Sequence, residues 1–153
     1  MNIEAQQVLE LIVRPTLKTV AMHSVSAERL LIYTGVVESD FDFLKQNPGG
    51  PALGWWQMEP IAYKQNSNYI RRYPIMYRSI LAACFLDILP PFETIIWNLR
   101  LACIMARIQY WQREEPLPRE DDLVGMANYY IKYYNCGGAA TVEGFVKKCK
   151  GLF

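Results

Sequence analysis

A chain of 153 residues, 52% hydrophobic and 20% charged, carries apolar surface for one domain with a real core and is too short for two comfortable ones. That balance excludes an intrinsically disordered chain. The formal net charge of +1 offers no general attraction for nucleic acid or for a strongly acidic partner, so neither is expected.

The N-terminal run MNIEAQQVLELIVRP mixes acidic and apolar residues and does not read as a secretory signal. Residues 3–13 have the spacing of a first helix that stops or kinks at Pro15, with 16–22 continuing it. Ser24 or Ser26 caps the next helix, which carries Leu30, Leu31, Tyr33, Val36 and Val37 and ends near residues 38–40. Residues 40–53 form a loop, because Asn47-Pro48-Gly49-Gly50-Pro51 forbids regular structure. Residues 54–58 read as a short strand, and 60–73 as a polar segment opening on a helical turn.

Residues 75–89 are the best candidate for a membrane span, but Arg78, Ser79 and Asp87 interrupt them. No run reaches the roughly 18 to 20 apolar residues a span needs, so this stretch reads as a buried helix and no integral membrane segment is expected. Pro90-Pro91 breaks it, and 92–112 is the longest helical stretch. Residues 113–119 are an exposed connector, 121–134 are helical, Gly137-Gly138 make a turn, and 141–148 form a last amphipathic helix. The sum is a single, mainly α domain over residues 1–153 with one minor β region.

Of the four cysteines, Cys84 and Cys103 lie in apolar helical patterns and read as reduced core residues, while Cys136 and Cys149 can pair only if the fold brings them together. No C-x-x-C pair exists and His23 is the single histidine, which argues against a zinc site, so no metal or cofactor is expected.

The chemistry concentrates in residues 36–60, VVESDFDFLKQNPGGPALGWWQMEP. Glu38 falls at the C-terminal end of a helix, where the dipole disfavours a further negative charge, and Val36, Val37, Phe41 and Phe43 would desolvate it. Such a carboxyl group can act as a general acid near neutral pH. The plainer reading is a solvated helix end. Trp55 and Trp56 beside Gln57 suit a sugar, whose rings stack on tryptophan and whose hydroxyl or acetamido groups bond an amide. The plainer reading of one of the two tryptophans is core packing.

Glu38-Ser39, the loop, and Ala52-Leu53-Gly54-Trp55-Trp56-Gln57-Met58 resemble the "E-S … G-L-M-Q" signature of lytic transglycosylases and goose-type lysozymes. Tyr133-Tyr134-Asn135-Cys136-Gly137-Gly138-Ala139 is similar to the same family's "A-Y-N-A-G-x-G" segment, and Trp97-Asn98-Leu99 resembles its preceding helix. The resemblance implies a lysozyme-like fold: a helical bundle around a long central helix, with a small β wall along one side of a cleft. It implies Glu38 as catalytic acid and base, with Tyr134 over it. Ser39, Gly54, Trp55, Trp56, Gln57, Met58, Glu59 and Asn135 would shape or line the sugar groove. The bulk of Trp55, Trp56, Tyr133 and Cys136 departs from the smaller residues of the family.

The implied partner is a peptidoglycan glycan strand, cut between N-acetylmuramic acid and N-acetylglucosamine. Two outcomes stay open. In a lytic transglycosylase Glu38 alone suffices and a 1,6-anhydro end forms, the outcome the motifs favour. In a lysozyme water attacks, with Glu59, Asp40 or Asp42 as the second carboxylate. A non-catalytic wall-binding or virion structural domain, or a helical interaction protein without sugar chemistry, are the remaining readings. A wall enzyme made in a host cytoplasm without an export signal fits a bacteriophage endolysin or virion-associated protein.

Overall fold

A computed structural model describes residues 3–153 and is mainly helical. Its first helical stretch is continuous but not uniform: α1 (Ile3–Gln7) passes through a π-helical segment (Val8–Val13) into α2 (Arg14–Thr19). Of the two outcomes expected at Pro15, a stop or an irregularity with the helix continuing beyond, the structure has the second. A proline ring collides with the carbonyl four residues back in a regular helix. Here the turns just before it are widened, the Arg14 N–H bonding the Leu9 carbonyl five residues back, and Pro15 falls in the first turn of α2. The helix ends at Thr19, and Ala21 turns the chain with φ of 57°.

Ser24 caps α3 (Val25–Glu38), its Oγ accepting from the Ala27 N–H at 3.0 Å. Apolar residues surround α3 on every side, so it runs through the interior and ends on Glu38. The loop that follows returns as a tight turn, not as the strand expected over 54–58. Gly54 has φ of 75° and Gln57 of 43°, and the Gln57 N–H bonds the Gly54 carbonyl at 3.0 Å. The cause is Trp56: its indole is 2% exposed, and its Nε1 donates to the Leu31 carbonyl at 2.9 Å, drawing the chain inward. Among the described residues the expected β wall amounts to two isolated antiparallel bridges, Lys45 with Leu53 and Leu53 with Met58.

α4 (Pro60–Arg71) is a full helix rather than one opening turn. α5 (Pro74–Cys84) stops where Phe85 takes a left-handed conformation, so 75–89 is not one helix. The expected helix over 92–112 is likewise broken, into a 3-10 turn (Phe92–Ile96) and α6 (Leu99–Trp111). Asn98 makes the break: its Oδ1 caps the Leu101 N–H and its Nδ2 donates to the Cys84 carbonyl, both at 3.1 Å. α6 is buried from Leu101 to Ile108 and packs against the π segment, α2, α3, α4, α5 and the 3-10 turn, which makes it the centre of the core.

α7 (Leu123–Tyr133) starts on the Asp122 cap and α8 (Val142–Cys149) on the Thr141 cap. α8 packs on both α3 and α7, with Phe145 inserted between Tyr33 and Tyr130. Cys84, Cys103 and Cys149 are buried, Cys136 is exposed, and all four are free thiols. Cys136 and Cys149 therefore do not pair. Among the described residues no helix is long and apolar enough to cross a membrane.

Candidate active site

Glu38 is half-buried at the point where α3, α7 and α8 converge. Its Oε1 accepts a hydrogen bond from the Tyr130 hydroxyl of α7 at 2.7 Å. From α8, Lys148 donates through Nζ to the Val37 carbonyl at 3.0 Å, which holds its cation beside the end of α3. Burial disfavours the Glu38 carboxylate and pushes its pKa up to about 7, with Tyr130 and Lys148 pulling down and the charge of Glu59 adding a further push upward. The group can thus hold or release a proton in the neutral range.

The turn after Glu38 is unusual. Asp40 and Phe41 both have positive φ, 53° and 59°, a conformation that costs side-chain-bearing residues energy. Ser39 holds it: its buried Oγ donates to the Trp55 carbonyl at 2.7 Å and accepts from the Phe41 N–H at 3.1 Å. One hydroxyl thereby fastens the acid-bearing helix end to the 54–57 turn.

Glu38 opens onto a cleft of about 190 Å³ lined also by Gln46, Ala52, Gln57, Met58, Glu59, Ala62, Gln109, Tyr134 and Asn135. Four carboxamides in so small a space make it a polar recess rich in paired donors and acceptors. All four are oriented by the backbone: Gln57 Nε2 donates to the Gly54 carbonyl at 2.8 Å, Gln109 Nε2 to the Tyr133 carbonyl at 3.1 Å, Gln46 Oε1 accepts from the Ala52 N–H at 3.3 Å, and Asn135 Oδ1 from the Ala140 N–H at 3.4 Å.

Six residues singled out from the sequence therefore meet at one cleft: Glu38, Gln57, Met58, Glu59, Tyr134 and Asn135. Ser39, Gly54, Trp55 and Trp56 do not line it. Ser39 and Trp56 are buried in the contacts just described. Gly54 is buried against the 3-10 turn, where a Cβ would meet the Ile95 carbonyl at 3.3 Å. Trp55 packs edge-on against Phe41 at 5.5 Å between ring centres. The tryptophans thus pack against Phe41 and, through Trp56, against α3, outside the lining of the cleft.

Tyr134 is in the lining, but its hydroxyl donates to the Trp56 carbonyl at 2.6 Å, not to Glu38. The donor to Glu38 is Tyr130, which sequence reasoning missed. Its signal was its position four residues before Tyr134, on the same face of α7; the two rings stack at 6.0 Å. Gln46 and Gln109 were missed as well. Glu59 makes no side-chain capping bond to α4 and lines the cleft. Asp40 and Asp42 are exposed and lie outside the lining. Among the described residues no group of three His, Cys, Asp or Glu side chains is placed to hold a metal ion.

No family model, no curated protein and no solved structure matches the chain.

Proposed function

We propose that the protein is a glycosidase of the lysozyme-like kind that cuts the β-1,4 bond between N-acetylmuramic acid and N-acetylglucosamine in peptidoglycan, with Glu38 as its acid and base. The observation that carries this reading is a carboxyl group with a pKa near 7 opening into a narrow cleft lined by four carboxamides. Glycosidic bonds break when such an acid protonates the bridging oxygen as positive charge develops at the sugar carbon.

In the proposed reaction the Glu38 proton passes to the leaving oxygen and the C1–O bond breaks. The carboxylate left behind is stabilised by the Tyr130 hydroxyl and by the nearby Lys148 cation. The C6 oxygen of the muramic acid then bonds to C1 while its proton returns to Glu38, leaving a 1,6-anhydro end. No second carboxylate takes part. Carboxamides such as Gln57 and Gln109 supply groups that pair with acetamido and hydroxyl substituents.

One observation favours a second outcome. Glu59 lines the same cleft and its charge is felt at Glu38. As a base it would activate water, and the product would be a hydrolysed reducing end.

Digestion of purified peptidoglycan followed by mass spectrometry tests the proposal. Anhydro ends are expected, water-added ends would assign the lysozyme outcome, and intact glycan would refute glycosidase action. Glu38→Gln should abolish turbidity loss of a wall suspension while the fold is retained.

A further inference from the structure

Six of the twelve large exposed apolar side chains among the described residues fall in one stretch of the chain, the other six being spread over the rest. Ile61, Tyr73, Ile75, Phe85, Ile88 and Trp97 all belong to α4, α5 and the segment leading to α6. Phe85 is 86% exposed, Ile75 79%, Ile88 70% and Trp97 67%, far above what packing against the chain itself would leave.

α5 explains part of the clustering. Its buried stripe is Ile80, Leu81, Ala83 and Cys84. Positions 75, 78 and 82 recur at helical spacing on the other side and are exposed, as is Phe85 just beyond the helix end. An outward stripe on a helix in water is ordinarily polar. This one is Ile75, Arg78 and Ala82, and the exposed Phe85 follows directly beyond the helix end, so the outward side carries apolar groups and a single cation.

Beyond α5 the chain turns at Phe85 in the left-handed region, with φ of 58°. Glycine is the usual occupant of that conformation at a helix end. A bulky aromatic there is both strained and almost fully in water. Asn98 bonds the Cys84 carbonyl, which brings the neighbouring Trp97 beside this tip, and the Arg100 guanidinium lies 5.6 Å from the Phe85 ring centre.

The charge of the region is one-sided. Residues 60–100 carry Lys64, Arg71, Arg72, Arg78 and Arg100 against Asp87 and Glu93. None of these five cations is in an ion pair among the described residues. The ion pairs that do form, Arg14–Glu28, His23–Glu28, Arg119–Asp121 and Lys132–Glu115, lie elsewhere. Of this segment only Ala62 lines the catalytic cleft.

The geometry points to an interfacial membrane-docking face: Phe85, Trp97, Ile75 and Ile88 insert into the headgroup region of an anionic lipid bilayer while the nearby arginines, none of which has an acidic partner among the described residues, meet its phosphates. A protruding aromatic tip beside cations that no carboxylate neutralises fits a deformable anionic surface. Aromatic rings partition to the headgroup level, and the long arginine side chains reach the phosphates. A helix of 11 residues cannot cross the bilayer, so the attachment is superficial and salt-sensitive.

Co-sedimentation of the full chain with vesicles tests this. Vesicles containing phosphatidylglycerol should pull the protein down, pure phosphatidylcholine should not, and molar salt should release it. Phe85→Ser with Trp97→Ser, and separately Arg71→Gln with Arg72→Gln and Arg78→Gln, should each weaken binding about tenfold or more. Circular dichroism should stay unchanged in both. Val124→Ser, on the exposed side of α7, should bind like wild type.

Three results would overturn the assignment: no binding to anionic vesicles, equal binding to both lipids, or binding indifferent to the substitutions. A dimer that Phe85→Ser dissolves in sedimentation velocity would also overturn it, by assigning the face to a second copy. Glu38→Gln should bind vesicles normally, so this test stands whether or not wall cleavage is found.

Discussion

Two tyrosines four residues apart, near and at the C-terminal end of α7, make different contacts around Glu38. Tyr130 donates to the carboxylate and so favours its charged form, whereas Tyr134 donates to the Trp56 carbonyl. Tyr130→Phe should therefore raise the Glu38 pKa further and move the alkaline limb of the pH–rate profile upward. Tyr134→Phe should leave that limb in place and cost about 1 kcal/mol of stability, read from chemical denaturation. If the two variants shift the profile equally, the division of labour is wrong. Glu38 itself makes a second prediction. Its folded pKa of about 7 lies above the ordinary 4.5, so the protonated form is the favoured one in the fold. The stability this gives is present at low pH and is lost as pH rises through about 7. Above that the buried charge costs up to about 3 kcal/mol, and Glu38→Gln removes the cost. The variant should melt higher than wild type at pH 9 and alike at pH 4. Glu38 was legible because it ends an apolar run. Tyr130 carried only its spacing from Tyr134 as a signal, since 92 residues separate it from Glu38 and the packing of α7 against α3 brings them together.

At the scale of the element, the end of α3 is set by Gly35. Glycine inside a helix costs about 1 kcal/mol relative to alanine, so propensity alone would make Gly35→Ala stabilising. The structure says otherwise, because a Cβ there would overlap the buried Phe41 ring, which has nowhere to go between Gly35 and the two tryptophans. Overpacking of this kind costs about 1 to 3 kcal/mol. The variant should thus be less stable by about 1 to 2 kcal/mol. It should also lose activity beyond that cost, because Phe41 belongs to the turn that Ser39 ties to Glu38. A gain in melting temperature would show that the ring yields freely. The same balance of local and tertiary forces explains which elements the sequence revealed. Ser24, one of the two caps expected, starts α3, and the helices expected over 121–134 and 141–148 are present with their ends shifted by one or two residues. The strand over 54–58 failed because the burial of Trp56 outweighed local β preference. The helix over 92–112 failed because Asn98 found two backbone partners by breaking it.

For the whole molecule, the mainly α class was readable from periodicity, whereas the convergence of α3, α7 and α8 on one carboxyl group was not. That convergence can be tested through the thiols. Cys136 is exposed, while burial pushes Cys84 to about 11, Cys149 to about 12 and Cys103 higher still. The thiolate is the reactive form, so at pH 8 those three are both shielded and protonated. A disulfide-exchange reagent should modify one thiol rapidly and the other three only as the fold opens. The three report on different elements: Cys84 on α5, Cys103 on α6 and Cys149 on α8. α8 is short, with eight residues, yet it carries Phe145 under Tyr130 and Lys148 against the end of α3. If the core opens as a unit, the three slow thiols should react at one common rate in mass-resolved labelling. Early modification of Cys149 alone would mean that α8 detaches on its own. The Glu38 carboxyl would then lose its cation and part of its cover, and its proton affinity would not stay near neutral.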